Sequence, residues 1–244
     1  MTSTKELRSR IKSIKNTSKV TKAMELVSAA KMRRSQDQAL RGRSYSELIN
    51  KVLRSLGASI DPNAHPLLIR EGEEKVGVLL VTTNRGLCGS LNTNLFRQAL
   101  DLQGKVSFVT LGKKGSTFVS KSNQALVADF ELLEKPTISF AKTIAKFLIR
   151  GFLENEFDRV HVIYTDFQST LKQVATIRQL LPIINLEILK QVSENSTSSE
   201  YIFEPNPDSV LQTILPHYIE MEIYQILLEA SASEHSSRMV AMKN

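Results

Sequence analysis

The sequence predicts an α/β protein in which two long helices, one from each end of the chain, pair as an antiparallel coiled coil beside a central three-layer α/β domain. The helices are predicted because residues 5–56 contain no proline and a single glycine, Gly42, and because residues 208–244 keep an apolar heptad pattern. The domain is predicted because strand-like apolar runs alternate with amphipathic helical segments between residues 75 and 190.

The first helix, residues 1–56 in our division of the chain, is too long to lie within one globule. At 1.5 Å per residue its fifty or so residues span about 80 Å, well beyond the diameter of a domain of this size. Leu7, Ile11 and Ile14 follow coiled-coil spacing, which returns at Leu48 and Val52 after a change of register. We therefore expect this helix to pack against a partner helix.

Positive charge is concentrated on the same helix. Residues 1–54 hold fourteen Lys/Arg and four Asp/Glu, a net charge of +10, whereas the remaining residues sum to −3. In the middle, residues 31–38 form no apolar face over two turns. A solvated basic face is the plain interpretation, but the length of the helix favours an acidic partner surface.

Residues 57–74 are predicted to be a linker, since Gly57, Pro62 and Pro66 end the helix. The domain that follows, residues 75–190, has the outline of a Rossmann-like fold. Its strands are expected at 76–81, 106–111 and 159–164, with a less regular fourth at 172–180, and its helices at 91–102, after Gly112 and at 137–153.

A serine-rich stretch, residues 191–207, is predicted to be a second linker that leads into the C-terminal helix, residues 208–244. Pro216 is early enough to lie in the first turns of that helix. The heptad pattern continues to the last residue with no terminating signal, so we expect the chain to be cut within this coiled-coil helix.

No motif in the sequence indicates a catalytic, cofactor or metal site. The loop Thr83–Ser90 follows a strand and opens a helix, but neither it nor Gly112–Ser116 has the glycine spacing of a phosphate-binding loop. Cys88 is interpreted as a small buried side chain rather than a nucleophile. The four histidines, His65, His161, His217 and His235, are too scattered to suggest metal ligands.

Three separated segments resemble one known family. Arg10–Met24, continuing to Ala29–Arg34, is similar to the N-terminal signature of the gamma subunit of F-type ATP synthases. Arg85–Asn94 is similar to the central motif of that family, and Ser233–Asn244 to its C-terminal motif. The three motifs occur in the family's order and cover the whole chain.

The resemblance implies a noncatalytic rotor shaft that couples rotation of an ion-driven ring to ATP synthesis or hydrolysis in the catalytic head. It implies a single copy per complex, partnered by the alpha and beta subunits of the head, the epsilon subunit and the membrane c-ring, with no cofactor and no nucleic acid. The start of the chain at the first motif favours a bacterium, hence a peripheral position on the cytoplasmic face of the plasma (inner) membrane. Relatives continue beyond Asn244, so the upper tip of the shaft is expected to be missing.

The family motifs also imply contact residues. Contacts to the head are expected from the first and third motifs, and contacts to the ring and epsilon from the segment before the second helix. The head set is Met24, Lys31, Arg33, Arg34, Arg238, Met239 and Met242, and the ring and epsilon set is Tyr201, Phe203 and Glu204. Simple coiled-coil packing is the alternative for the methionines.

Two other functions are left open by the residues themselves. The first is a basic coiled-coil nucleic-acid-binding protein, although the helix lacks aromatic residues between its charges. The second is a nucleotide-binding enzyme built on the α/β domain.

Overall fold

The computed structural model describes residues 4–57, 65–68, 72, 74–183 and 206–244. Within them the predicted fold class is confirmed: two long helices from the chain ends flank a five-stranded sheet with shorter helices. The helices are α1 (Thr4–Gly57), α2 (Leu91–Leu100), α3 (Lys113–Lys121), α4 (Ile138–Leu153) and α5 (Pro207–Lys243). The strands are β1 (Lys75–Val81), β2 (Lys105–Leu111), β3 (Ala125–Phe130), β4 (Arg159–Phe167) and β5 (Gln173–Leu181).

The two long helices pair antiparallel: residues later in α1 contact residues earlier in α5. Ser35 Oγ lies 3.1 Å from Ser231 Oγ, and Tyr45 Oη lies 2.8 Å from His217 Nε2. Residues 4–20 of α1, by contrast, are exposed on every side. The chain thus forms a rod whose N-terminal end is a single helix.

α5 begins with a well-formed cap. The Asn206 side chain accepts a hydrogen bond from Ser209 N at 2.8 Å, and Pro207 occupies the first turn, where a missing amide hydrogen costs little. Pro216 lies inside the helix, in its third turn, where it donates no backbone hydrogen bond.

The sheet has the strand order β3-β2-β1-β4-β5. The first four strands are parallel, and β5 pairs antiparallel with β4 across a tight hairpin. The central strand β1 is buried on both faces of the sheet: Leu79 and Val81 pack on one face, while Val78 and Leu80 pack on the other. A strand buried on both faces reads as a continuous apolar run.

The domain has three layers. α2 and α3 cover one face of the sheet, with Leu95 and Val119 fully buried against it. α4 covers the other face together with α5, whose Ile219, Ile223 and Leu227 join the same core as α4. The heptad pattern predicted that α5 belongs to the rod, and the structure shows that α5 is also part of the domain's third layer.

One close approach in this core requires glycine. An ideal Cβ would lie 2.8 Å from Phe157 Cγ if it were built on Gly77, and 2.7 Å from Phe157 Cε2 if it were built on Gly151. Phe157 is buried between these two glycines. The ring therefore brings β1 close to the end of α4.

Two differences from the expected elements have physical reasons. β3 was not predicted, because it is an edge strand with a short apolar run of four residues, Ala125–Ala128, in which Leu126 and Val127 are exposed. The helix expected at 91–102 ends at Leu100. Most residues of the two predicted linkers lie outside the described ranges.

Candidate functional site

The three sequence motifs meet at one place, the junction between the rod and the carboxyl edge of the sheet. α1, α5 and the loops after β1 and β3 surround a cavity of about 550 Å³ there. Met24 and Lys31 line it from α1, Arg85 from the central motif, and His235 and Arg238 from α5. Segments that are far apart in sequence are therefore parts of a single site.

The loop after β1 is held by its own hydrogen bonds. Thr82 Oγ1 donates to Leu111 O at 2.8 Å and accepts from Gly115 N at 2.8 Å, while Asn84 Nδ2 donates to Leu132 O at 2.8 Å. The loop therefore links β1 to β2, α3 and the segment after β3.

The backbone amides at the start of α3 show why this region resembles a phosphate-binding loop in composition only. The first amides of α3 donate within the chain, Lys113 N to Asn84 Oδ1 and Lys114 N to Thr83 O. Amides used in this way are not directed at a bound phosphate. Cys88 is buried, as predicted, with Asn92 Nδ2 3.4 Å from its sulfur.

Arg238 joins α5 to that loop. Its Nη2 lies 2.7 Å from Glu234 Oε1, its Nε donates to Gly86 O at 3.3 Å, and Nη2 also reaches Arg85 O at 3.5 Å. The residue is only 8% exposed. The predicted contact of Arg238 with a head subunit stays a prediction, and the guanidinium that would make it is already bonded inside the chain.

Lys31 joins α1 to the segment after β3 through an ion pair with Glu134. The Lys31 ammonium holds the pKa of the Glu134 carboxyl below its usual value, mainly through the hydrogen bond between them. Both side chains are substantially exposed, so this is a surface pair of modest strength.

His235 lies beside these charges and is buried. Burial lowers the pKa of its imidazole to about 4, and the positive charges of Arg238 and Lys31 act in the same direction. Its Nδ1 has no hydrogen-bond partner among the described residues. The ring is therefore neutral near pH 7.

The other predicted head contacts differ in availability. Arg33 and Arg34 are exposed, and within the described residues neither has an ion-pair partner. Met24, Met239 and Met242 are half-buried. The predicted ring and epsilon contacts Tyr201, Phe203 and Glu204 lie outside the described residues.

Sequence reasoning missed several residues that build the junction. Ser233, Ser236 and Ser237 bond from α5 to the end of β4 and to the β4–β5 hairpin. Serines within a helix are a usable signal, since serine is not a strong helix former and its hydroxyl seeks a partner. Glu134 carries no such signal in its polar loop.

The fold and this junction define a class of protein: a rod that is continuous with an α/β domain. Comparison with known proteins is consistent with that class. The family described as ATP synthase matches residues 3–244. The chain belongs to this family, among its gamma chains.

Two bacterial relatives illustrate the family assignment. The ATP synthase gamma chain of Opitutus terrae is 40% identical over 253 residues, covering 100% of this chain and 86% of that protein. The ATP synthase gamma chain of Methylacidiphilum infernorum is 40% identical over 254 residues, covering 100% and 87%.

Solved structures share the fold. The mitochondrial ATP synthase central stalk/c-ring structure of Tetrahymena thermophila contains a chain that matches with a TM-score of 0.70 at 24% identity, covering 92% of this chain and 98% of that one. A chain of the Euglena gracilis mitochondrial ATP synthase rotor matches with a TM-score of 0.67 at 21% identity, covering 97% and 88%.

Proposed function

We propose that this chain is the central rotor shaft of an F-type ATP synthase and couples ion-driven rotation of a membrane ring to ATP synthesis or hydrolysis in the head. The observation that carries the proposal is the continuity of α5, which is half of the antiparallel rod and also a layer of the α/β domain. A domain turned by the ring then turns the rod with it. Membership of the gamma chain family supports the same role.

The partners in this proposal bind two different parts of the molecule. The alpha and beta subunits surround the rod, and the c-ring and the epsilon subunit hold the α/β domain, with one copy of the chain per complex. The proposed contact with a ring is supported by the Tetrahymena match, in which a central stalk was solved together with a c-ring.

Arg33 and Arg34 are the best candidates for contact with acidic surfaces of the catalytic subunits. Both are exposed, and their charges are not engaged by described residues. Lys31 would have to leave Glu134 to make such a contact. Pairs that break and re-form as the rod turns need to be weak, about 1 kcal/mol or less each.

The chain itself is proposed to catalyse no reaction, and its role in the complex is mechanical. The self-bonded loop after β1 supports this, since its groups serve the fold. We propose a peripheral position on the cytoplasmic face of a bacterial plasma membrane. No described helix combines the length and apolar character needed to cross a membrane.

The test is to express the chain with the alpha and beta subunits of a related bacterial enzyme and to measure assembly, ATPase activity and rotation. We expect a single complex with turnover and a rotating α/β domain. A failure to assemble or rotate with several related heads would contradict the proposal.

Contact residues are tested in the same complex. Replacing Arg33 and Arg34 together by Gln is expected to change the ATPase rate and its salt dependence, because two exposed charges facing the head are removed. Lys121→Gln with Lys146→Gln removes two exposed charges from α3 and α4 as the matched control, and it is expected to behave as the unmodified chain. Equal effects of the two variants would contradict the contact.

The comparisons give no support to the alternative of a nucleic-acid-binding protein. Titration of the chain with DNA at two salt concentrations would revive that alternative only if binding were tight and fell steeply with salt.

A further inference from the structure

The contacts between α5 and the α/β domain are of two kinds along the helix. In the earlier part of the helix Ile219, Ile223 and Leu227 are buried in the core on the sheet, and two partly exposed ion pairs, Lys142 with Glu220 and Arg178 with Glu222, flank them. Beyond them, from Ser233 to Arg238, the contacts are hydrogen bonds to the domain. Apolar contact is non-directional, whereas a hydrogen bond weakens steeply when its angle changes.

The hydrogen-bonded segment reaches three parts of the domain. Ser233 Oγ donates to Thr165 O at 3.0 Å, at the end of β4, and Ser236 Oγ donates to Thr170 O at 2.7 Å, in the hairpin. Gln173 Nε2 donates to Ser236 Oγ at 3.2 Å, and Ser237 Oγ donates to Gln173 Oε1 at 3.0 Å. Arg238 adds its bonds to the loop after β1.

This segment is also the last place where α5 is bonded to the domain. Within the described residues, no hydrogen bond joins side chains 239–244 to the sheet or its loops, and the helix ends at Lys243. The α1 helix is joined to the domain's loops at this level by the exposed Lys31–Glu134 pair, while its buried bonds, such as Ser35 to Ser231, are made to α5.

We propose that Ser233 and Ser236 transmit torque between the α/β domain and the rod, and that α1 is turned chiefly through α5. This inference rests on the proposed rotor function. A domain that rotates pushes α5 sideways and around its axis, and directional bonds at the point where the helix leaves the domain resist both displacements. The surface pair of Lys31 with Glu134 resists them weakly.

The experiment measures how stiffly the domain is joined to a rod held in the head. A cysteine introduced at Lys121, which is exposed at the end of α3, carries a bead on the domain of a complex whose head is fixed to a surface. Angular fluctuation of the bead is recorded without ATP. Ser233→Ala with Ser236→Ala removes three of the six hydrogen bonds that join the segment to the domain.

We expect the contribution of this joint to the angular variance to rise about twofold in the double variant, if the bonds share the load equally. The matched control is Ser231→Ala, which removes the bond to Ser35 of α1 and leaves the segment intact. It is expected to leave the variance of the bead unchanged. Gln173→Ala removes the hydrogen bonds of the same segment from the hairpin side and leaves α5 unaltered. This variant keeps the test valid if the double variant folds poorly.

The outcomes separate this inference from the proposed function. An unmodified complex that rotates, with variance raised in the Ser233/Ser236 or Gln173 variants and not in Ser231→Ala, supports the inference. Equal variance in all variants, or an equal rise in Ser231→Ala, overturns it while the rotor function stands. An unmodified chain that does not rotate in the head overturns the rotor function and this inference with it.

Discussion

Gly42, a glycine inside α1, lies where the two helices of the rod approach each other closely. An ideal Cβ at Gly42 would lie 2.5 Å from Gln225 Oε1 and 3.9 Å from Leu228 Cδ1. Gln225 is buried, and its Nε2 donates to Ala39 O at 3.3 Å and to Glu229 Oε1 at 2.9 Å. A methyl group at position 42 must therefore displace a side chain that is held at two points.

The magnitude follows from two opposing effects of Gly42→Ala. Alanine is favoured over glycine inside a helix by about 1 kcal/mol. Displacing Gln225 disrupts two buried hydrogen bonds, worth about 1 kcal/mol for the bond to Ala39 O and about 1.5–2 kcal/mol for the bond to the Glu229 carboxylate. We expect the variant to lose about 1–2 kcal/mol of unfolding free energy overall.

A double-mutant cycle isolates the contact. In the Gln225→Ala background the methyl group meets no obstacle, so Gly42→Ala is expected to stabilise the chain by about 1 kcal/mol. Urea unfolding, followed by circular dichroism at a helix band, gives the four free energies. Ala30→Gly, at an exposed position of α1, measures the helix-propensity effect without any contact to α5.

The result that would refute this reasoning is an equal effect of Gly42→Ala in both backgrounds. That outcome would mean that Gln225 moves aside without loss. The glycine would then have no packing role in the rod.

Three further outcomes are expected. Arg238→Ala leaves the Glu234 carboxylate without its partner and should cost about 3 kcal/mol in urea unfolding, with Arg238→Lys intermediate. The pKa of the His235 imidazole is lowered to about 4 in the folded chain, so as the pH falls the imidazole is protonated first in the unfolded chain. Stability is therefore lost as the pH falls from about 6.5 to about 4. This loss, of order 3 kcal/mol, should be absent in His235→Gln. Gly77→Ala forces a methyl group against Phe157 and should cost about 1–3 kcal/mol, measured by thermal unfolding.

Much of the fold could be predicted because its signals are local. The absence of proline over fifty residues predicts α1, and burial on both faces gives β1 the apolar run from Val76 to Val81. The strand β3 could not be predicted in the same way, since an edge strand with one exposed face needs neither a continuous run nor strict alternation.

The three motifs indicate which residues lie at the junction, but they do not predict the contacts between those residues. The bond between Arg238 and the carbonyl of Gly86 joins residues 152 positions apart, and the Lys31–Glu134 pair joins residues 103 apart. No period or spacing connects such partners. The family motif implied a contact of Arg238 outside the chain, but it gave no sign that the folded chain supplies Glu234 and two carbonyl groups to the guanidinium.

α5 shows why its heptad pattern gave an incomplete prediction. A coiled-coil helix needs only one apolar face. In α5, apolar residues on more than one side of the helix are buried, among them Ile223, Ile226, Leu227 and Leu228. A helix that is apolar on most of its surface is buried on most of its surface. One side of α5 packs against α1 and another against the sheet. Because the same helix completes the domain core and half of the rod, a substitution that loosens α5 on the sheet must also loosen the rod, and stability of the domain and stiffness of the shaft cannot be tuned independently.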